Sequence, residues 1–182
     1  MKKLALLLLP FLAACGKQWM VHQPDPVDPP GTDEARVVVY RESFRNYTKP
    51  YAFLDDEEVL GFSQVGKWFE VRVAPGEHFF VLHAVTSSGV RATLEAGKTY
   101  FLRVDSVPTL LELSVRLTPI VPGMEEFDNV FKVMVEMKRC EPIEVVLKGY
   151  AERHADDLEA AVASLKTDRL EQCPILPPDA GR

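Results

Sequence analysis

Phe69-Glu70-Val71-Arg72-Val73-Ala74-Pro75-Gly76-Glu77-His78-Phe79-Phe80-Val81-Leu82 is the stretch that decides the fold class. Phe69, Val71 and Val73 alternate with Glu70 and Arg72, the period of a strand with one face buried. Pro75-Gly76 then interrupts the run. Proline fixes φ near about −65° and glycine accepts positive φ, a combination that suits a type II turn. A second apolar segment runs from His78 to Val85, with Phe80, Leu82 and Ala84 in an opposing register. The expected unit is an antiparallel pair across residues 75–78, with Phe80 and Leu82 in the core.

The same signals recur on both sides. Val37 to Tyr40 is β-branched and aromatic, and Tyr51 to Leu54 leads into the charged turn Asp55-Asp56-Glu57-Glu58, with Val59 to Phe62 leading out. Val90 to Leu94 reaches the turn Ala96-Gly97-Lys98, and Thr99 to Val104 follows. Leu111, Leu113, Val115 and Leu117 alternate with Glu112, Ser114 and Arg116. Seven or eight short strands with regular turn signals predict a mainly β chain, an antiparallel β-sandwich over residues 36–118.

Past Pro119 and Pro122-Gly123 the period lengthens. Phe127, Val130, Phe131, Met134 and Met137 fall at helical spacing, with Glu125, Glu126 and Asp128 first and Lys138 and Arg139 last, the order that suits a helix dipole. Phe131, Val133, Val135 and Met137 also alternate as a strand would, so both readings stand for residues 125–138. Ile143 to Leu147 reads as one more strand. Tyr150 to Glu171 carries an apolar stripe of Ala151, His154, Leu158, Ala161, Val162 and Leu165. Cys173-Pro174 ends that helix, because a residue before proline avoids helical angles. Residues 119–173 are thus expected as a helical extension packed on the sandwich, and 174–182 as a loose tail.

The N-terminus reads as an address. Lys2 and Lys3 precede the apolar run Leu4 to Leu12, which closes on Leu12-Ala13-Ala14-Cys15. Leu-Ala-Ala-Cys resembles the bacterial lipobox, and the resemblance implies cleavage after residue 14 and lipidation of Cys15. Eleven residues from Leu4 to Ala14 are too few for a spanning helix, which needs about 20. Gly16 stands where the enterobacterial sorting rule places an aspartate for inner-membrane retention, so the resemblance favours the outer membrane, facing the periplasm. Residues 15–35 hold Pro24, Pro26, Pro29 and Pro30. They are expected as a polyproline-like tether that stands the domain roughly 40–60 Å from the lipid, with Trp19, Met20 and Val21 interrupting it.

A second resemblance rests on Val71-Arg72-Val73-Ala74-Pro75-Gly76-Glu77-His78 and on Leu94-Glu95-Ala96-Gly97-Lys98-Thr99-Tyr100-Phe101-Leu102-Arg103-Val104. Their cadence resembles a domain of unknown function common in bacterial lipoproteins, and the Pro-Gly-x-His turn resembles PEGA-type envelope domains with a transthyretin-like sandwich. The likeness covers about residues 36–118 and implies a fold. It implies no activity.

Of the 182 residues, 21 are basic and 27 acidic; loss of Lys2 and Lys3 leaves 19 against 27, a net −8. An acidic surface disfavours nucleic acid, where Lys and Arg contacts to phosphate supply most of the affinity. With Cys15 consumed by lipid, Cys140 and Cys173 form an even pair in an oxidising compartment, and a disulfide between them is expected. Two free thiols or a metal pair are the alternatives.

Little in the chain reads as catalysis. His78 and His83 lie five apart on one strand, on opposite faces, which excludes joint chelation there. His154 sits on an apolar helical stripe, with Asp156 and Asp157 as available partners. Asp55-Asp56-Glu57-Glu58 lacks the alternating ligands and glycine of a calcium loop. Ser63, Ser87, Ser88 and Ser106 occupy no nucleophile elbow, and no phosphate-binding glycine loop occurs. The expectation is a non-catalytic envelope lipoprotein without cofactor or metal, held to a membrane by its lipid and acting on an unidentified protein or envelope partner. A small-ligand carrier or an envelope enzyme is the alternative, and a pocket with converging polar groups would mark it.

Overall fold

The computed structural model describes residues 18–23, 28–42, 48–108 and 113–182. Cys15 and the residues before it lie outside this set, as do Pro24, Pro26 and Leu111. In chain order the strands are β1 (Met20–His22), β2 (Ala35–Arg41), β3 (Tyr51–Asp55), β4 (Glu58–Ser63), β5 (Lys67–Val73), β6 (Gly76–His83), β7 (Ser87–Leu94), β8 (Thr99–Pro108) and β9 (Leu113–Pro119). Then come α1 (Glu125–Val135), β10 (Lys138–Pro142), α2 (Glu144–Asp168) and β11 (Ile175–Leu176).

The strands form two facing sheets, β1-β10-β5-β2-β8-β9 and β11-β7-β6-β3-β4. The chain is mainly β, as expected, but the sheets are mixed. β2 runs parallel to β8, β10 to β5, and β11 to β7. Parallel neighbours require a crossover, and each of these pairs is separated by excursions through other elements. The segments read as strands over residues 36–118 correspond to β2 to β9; β1, β10 and β11 add to them.

The pair expected across Pro75-Gly76 does not form. β5 bonds to β2 and β10, whereas β6 bonds to β3 and β7. Pro75-Gly76 is therefore an arch that carries the chain from one sheet to the other. Gly76 has φ +134°, which no L side chain adopts without strain. The alternating faces of β5 and β6 meet across the core rather than side by side, with Phe69, Phe80 and Leu82 all buried. Phe53 stacks on Phe80 at 5.4 Å and meets Phe69 edge-on at 5.8 Å. Gly61 makes room beneath, since a Cβ there would lie 2.5 Å from the Phe69 ring.

Both outer faces are covered by helices. Val38, Tyr40 and Phe101 turn outward on the six-stranded sheet and receive Val130 and Met134 of α1. The helical reading of residues 125–135 prevails because its stripe matches that apolar face, while residues 138–142 become β10. Leu158, Val162 and Leu165 of α2 are buried over β4, β6 and β7. The strand expected at Ile143 to Leu147 is instead the start of α2, with Val145 76% exposed and Val146 and Leu147 packed on the core. His154, with φ −121° and ψ 16°, kinks the helix.

Both terminal segments are parts of the fold. Residues 174–182 are not a loose tail: β11 completes the β7 edge, Leu176 and Ala180 are fully buried, and Arg182 exchanges backbone hydrogen bonds with Thr99. Residues 119–173 likewise include β10, which lies between β1 and β5 in the sheet. The expected tether is also shortened. β1 pairs with β10, Met20 is buried, and Trp19 packs on Phe62 and Tyr150 at 4.8 and 5.9 Å. The proline-rich stretch follows β1 and joins it to β2 within one sheet.

Gly76→Val should destabilise the domain by about 1–3 kcal/mol through backbone strain alone, since open space surrounds the position. Leu82→Ala should cost about 2–5 kcal/mol through the cavity it leaves. Urea melts check both values, and an unchanged midpoint in either variant would contradict the packing described.

Candidate functional site

Alternate residues of β2, β5 and β8 place Arg36, Val38, Trp68, Glu70, Thr99 and Phe101 on the outer face of the six-stranded sheet. The helix α1 crosses only part of that face. Arg103 fixes its first turn by donating to Glu126 at 2.6 Å, and it also grips Asp105 at 2.9 Å. Beside the last turn of α1 a groove of about 290 Å³ remains, walled by Trp68, Phe101, Phe131, Met134 and Val135.

The floor of this groove is charged. Glu70 stands between Arg36 and Arg139, 3.7 Å from each. Burial pushes the Glu70 carboxyl above its ordinary range, while the two guanidinium groups pull it back. Arg36 donates to the Thr99 hydroxyl at 3.0 Å and to the Asp28 carbonyl at 3.0 Å, and burial lowers its own pKa. Arg139 donates to Glu141 at 2.9 Å and lies 5.8 Å over the Trp68 ring. A groove of this kind offers apolar walls and fixed charges. Its polar lining residues are Arg36, Glu70 and Thr99.

A second, more open cleft of about 550 Å³ lies between β6, β7 and the end of α2, where Lys166 pairs with Asp56 at 2.5 Å and lies over Phe79. The His78 ring closes the nearby arch. Its Nε2 lies 2.8 Å from the Ala74 carbonyl and its Nδ1 2.6 Å from Asp55. The Pro-Gly-x-His histidine thus locks a turn.

The remaining sequence candidates are dispersed. His83 hydrogen-bonds Ser87 at 3.0 Å at the other end of β6, with no carboxylate bonded to its second nitrogen among the described residues. His154 lies 3.8 Å from Asp157 and 4.3 Å from the Tyr150 ring. Asp55 to Glu58 form the β3–β4 hairpin turn. Ser88 accepts from the Leu117 amide, and Ser106 is shared by Arg41 and Tyr51. Among the described residues no cluster of three or more His, Cys, Asp or Glu could hold a metal ion.

The expected Cys140–Cys173 disulfide is overturned: both are buried free thiols. Arg139 pairs with Trp68 on the outer face, so Cys140 turns inward between the sheets. Cys173 follows α2 and lies against Gly89, on the outer face of the five-stranded sheet. A whole sheet separates them, and bridging needs Cα atoms within about 7 Å. Burial raises the pKa of both thiols, which makes them poor nucleophiles.

Reasoning from sequence did not single out Arg36, Trp68, Glu70 or Arg139. Its available signal was the Glu70–Arg72 alternation, which reads as a solvent face until α1 is seen to cover half of it. No protein-family model matches the chain, and no curated protein sequence matches it.

Burial holds the His83 imidazole below its ordinary pKa of 6.5; Asp157 of α2 opposes this and His154 adds to it. The unfolded chain therefore takes up the proton more readily, and native stability should fall as pH drops below 6.5. His83→Gln should flatten that slope in denaturant melts taken at a series of pH values. A slope identical to the parent's would rule out the effect.

Proposed function

We propose that this chain is a lipid-anchored protein of the bacterial envelope whose mature domain is a non-catalytic binding module. The observation that carries the proposal is Leu12-Ala13-Ala14-Cys15 at the end of a short apolar run behind Lys2 and Lys3. The resemblance of the Pro75-Gly76-Glu77-His78 and Ala96-Gly97-Lys98 cadences to lipoprotein envelope domains supports the same assignment, and Gly16 favours the outer membrane. Among the described residues no helix is long and apolar enough to cross a membrane. Several acyl chains on one cysteine give stable attachment at about 0.8 kcal/mol per buried methylene.

Cys15→Ser should abolish acyl labelling in cells and move the protein out of the membrane fraction. Continued acylation and membrane retention of that variant would refute the anchor.

The groove beside α1 favours a second reading, a carrier for a small amphiphile. Trp68, Phe101 and Phe131 would hold the apolar part, and Arg36 and Glu70 would face the polar end. The chain has two tryptophans, so a Trp19→Phe variant reports from Trp68 alone. Titration with decanoate should then shift Trp68 emission saturably, and Val135→Asp at the exposed rim should remove the shift. A linear, non-saturating response in the Trp19→Phe protein would exclude the carrier reading.

A further inference from the structure

We propose that the domain lies against the bilayer surface, with the edge formed by β1, β4 and the start of α2 turned toward the lipid. The inference rests on the lipidation of Cys15 and concerns what that lipid does to orientation. Docked structure begins almost at once after the anchor. Met20, Val21 and His22 pair with Pro142, Glu141 and Cys140, and the Gln23 amide donates to the Arg139 carbonyl at 3.0 Å. Just before them Trp19 is wedged between Phe62 of β4 and Tyr150 of α2.

Covalent length then sets the reach. Four peptide links separate Cys15 from Trp19, and at 3.8 Å per link their Cα atoms lie within about 15 Å. The six-stranded sheet is wider than this, at roughly 24 Å from β1 to β9 for strands about 4.8 Å apart. The prolines that would lengthen a leash lie beyond β1 and add no reach while it is paired. A leash shorter than the domain is wide holds one edge at the lipid and leaves the other pointing away.

The surface at that edge suits such a contact. Val21 on β1 is 44% exposed and Val145, in the first turn of α2 directly after β10, is 76% exposed. The neighbouring Glu144 and Lys148 pair with each other at 2.6 Å, so they present no net charge. Burying apolar side chains in the interface adds to what the acyl chains supply. Ile175 is also exposed, on β11 at the opposite end of the other sheet. It serves as the distant reference.

The test uses the acylated full-length protein in vesicles of phosphatidylethanolamine and phosphatidylglycerol. A fluorophore is attached at Val145→Cys or at Ile175→Cys, and the unlabelled parent checks that buried Cys140 and Cys173 do not react. Quenching by headgroup-labelled lipid should be several-fold stronger at position 145 than at 175. Combining Val145→Cys with Trp19→Ala and Met20→Ser, which frees β1, should remove the difference. Protein that carries the acyl mass and floats with the vesicles, yet is quenched alike at both positions, would overturn the orientation. Protein without the acyl mass would overturn the anchor and, with it, this inference.

Discussion

Phe53 sets the contact between the two sheets: its ring lies 5.4 Å from Phe80 beside it and 5.8 Å, edge-on, from Phe69 opposite. Aromatic contacts of this kind contribute about 0.5–1.5 kcal/mol beyond the area they bury. Their geometry constrains the neighbours. Gly61 has to lack a Cβ for Phe69 to fit, and the segment after Phe69 has to leave its sheet for Phe80 to approach from the other. The arch at Pro75-Gly76 meets that need. His78 then secures it, bonding back to Ala74 and across to Asp55.

A core filled from both sides leaves the outer faces to be settled. Each sheet is apolar there as well, with Val38, Tyr40 and Phe101 on one and Phe62 and Phe79 on the other. Sheets with two apolar faces need covering layers, and α1 and α2 supply them. The C-terminal third is for this reason part of the domain. Its strand β10 also gives β1 a partner, and β11 closes the edge of β7, which shields backbone groups that would otherwise recruit other chains.

Incomplete cover leaves a groove beside α1. The helix α1 does not shield the whole outer face, and Phe131 and Val135 stay exposed beside Arg36 and Glu70, with Arg139 3.7 Å from Glu70. Taking charges out of water is costly unless they are paired, and each of these three has an opposite charge within reach. At the β1 edge, Trp19 between Phe62 and Tyr150 and the pairing of β1 with β10 tie the start of the described chain into the domain.

Local pattern determined a good deal. β-branched and aromatic content marks β2, period-two alternation marks β5 and β9, turn residues delimit β3, β4, β6, β7 and β8, and the stripe from Leu158 to Leu165 marks α2, all properties of a short stretch of chain. The lipobox-like segment is equally local. Partnership is not. Nothing in Phe69 to Leu82 states that the two strands belong to different sheets, because an arch and a hairpin use the same turn residues and the same opposed registers. β1, β10 and β11 are strands of five residues or fewer, and they exist only where a free sheet edge receives them. The same holds for the thiols of Cys140 and Cys173. An even pair of cysteines invites a bridge, but their distance was set by which faces of which sheets they occupy. That was decided by packing between residues far apart in the chain, which no local pattern encodes.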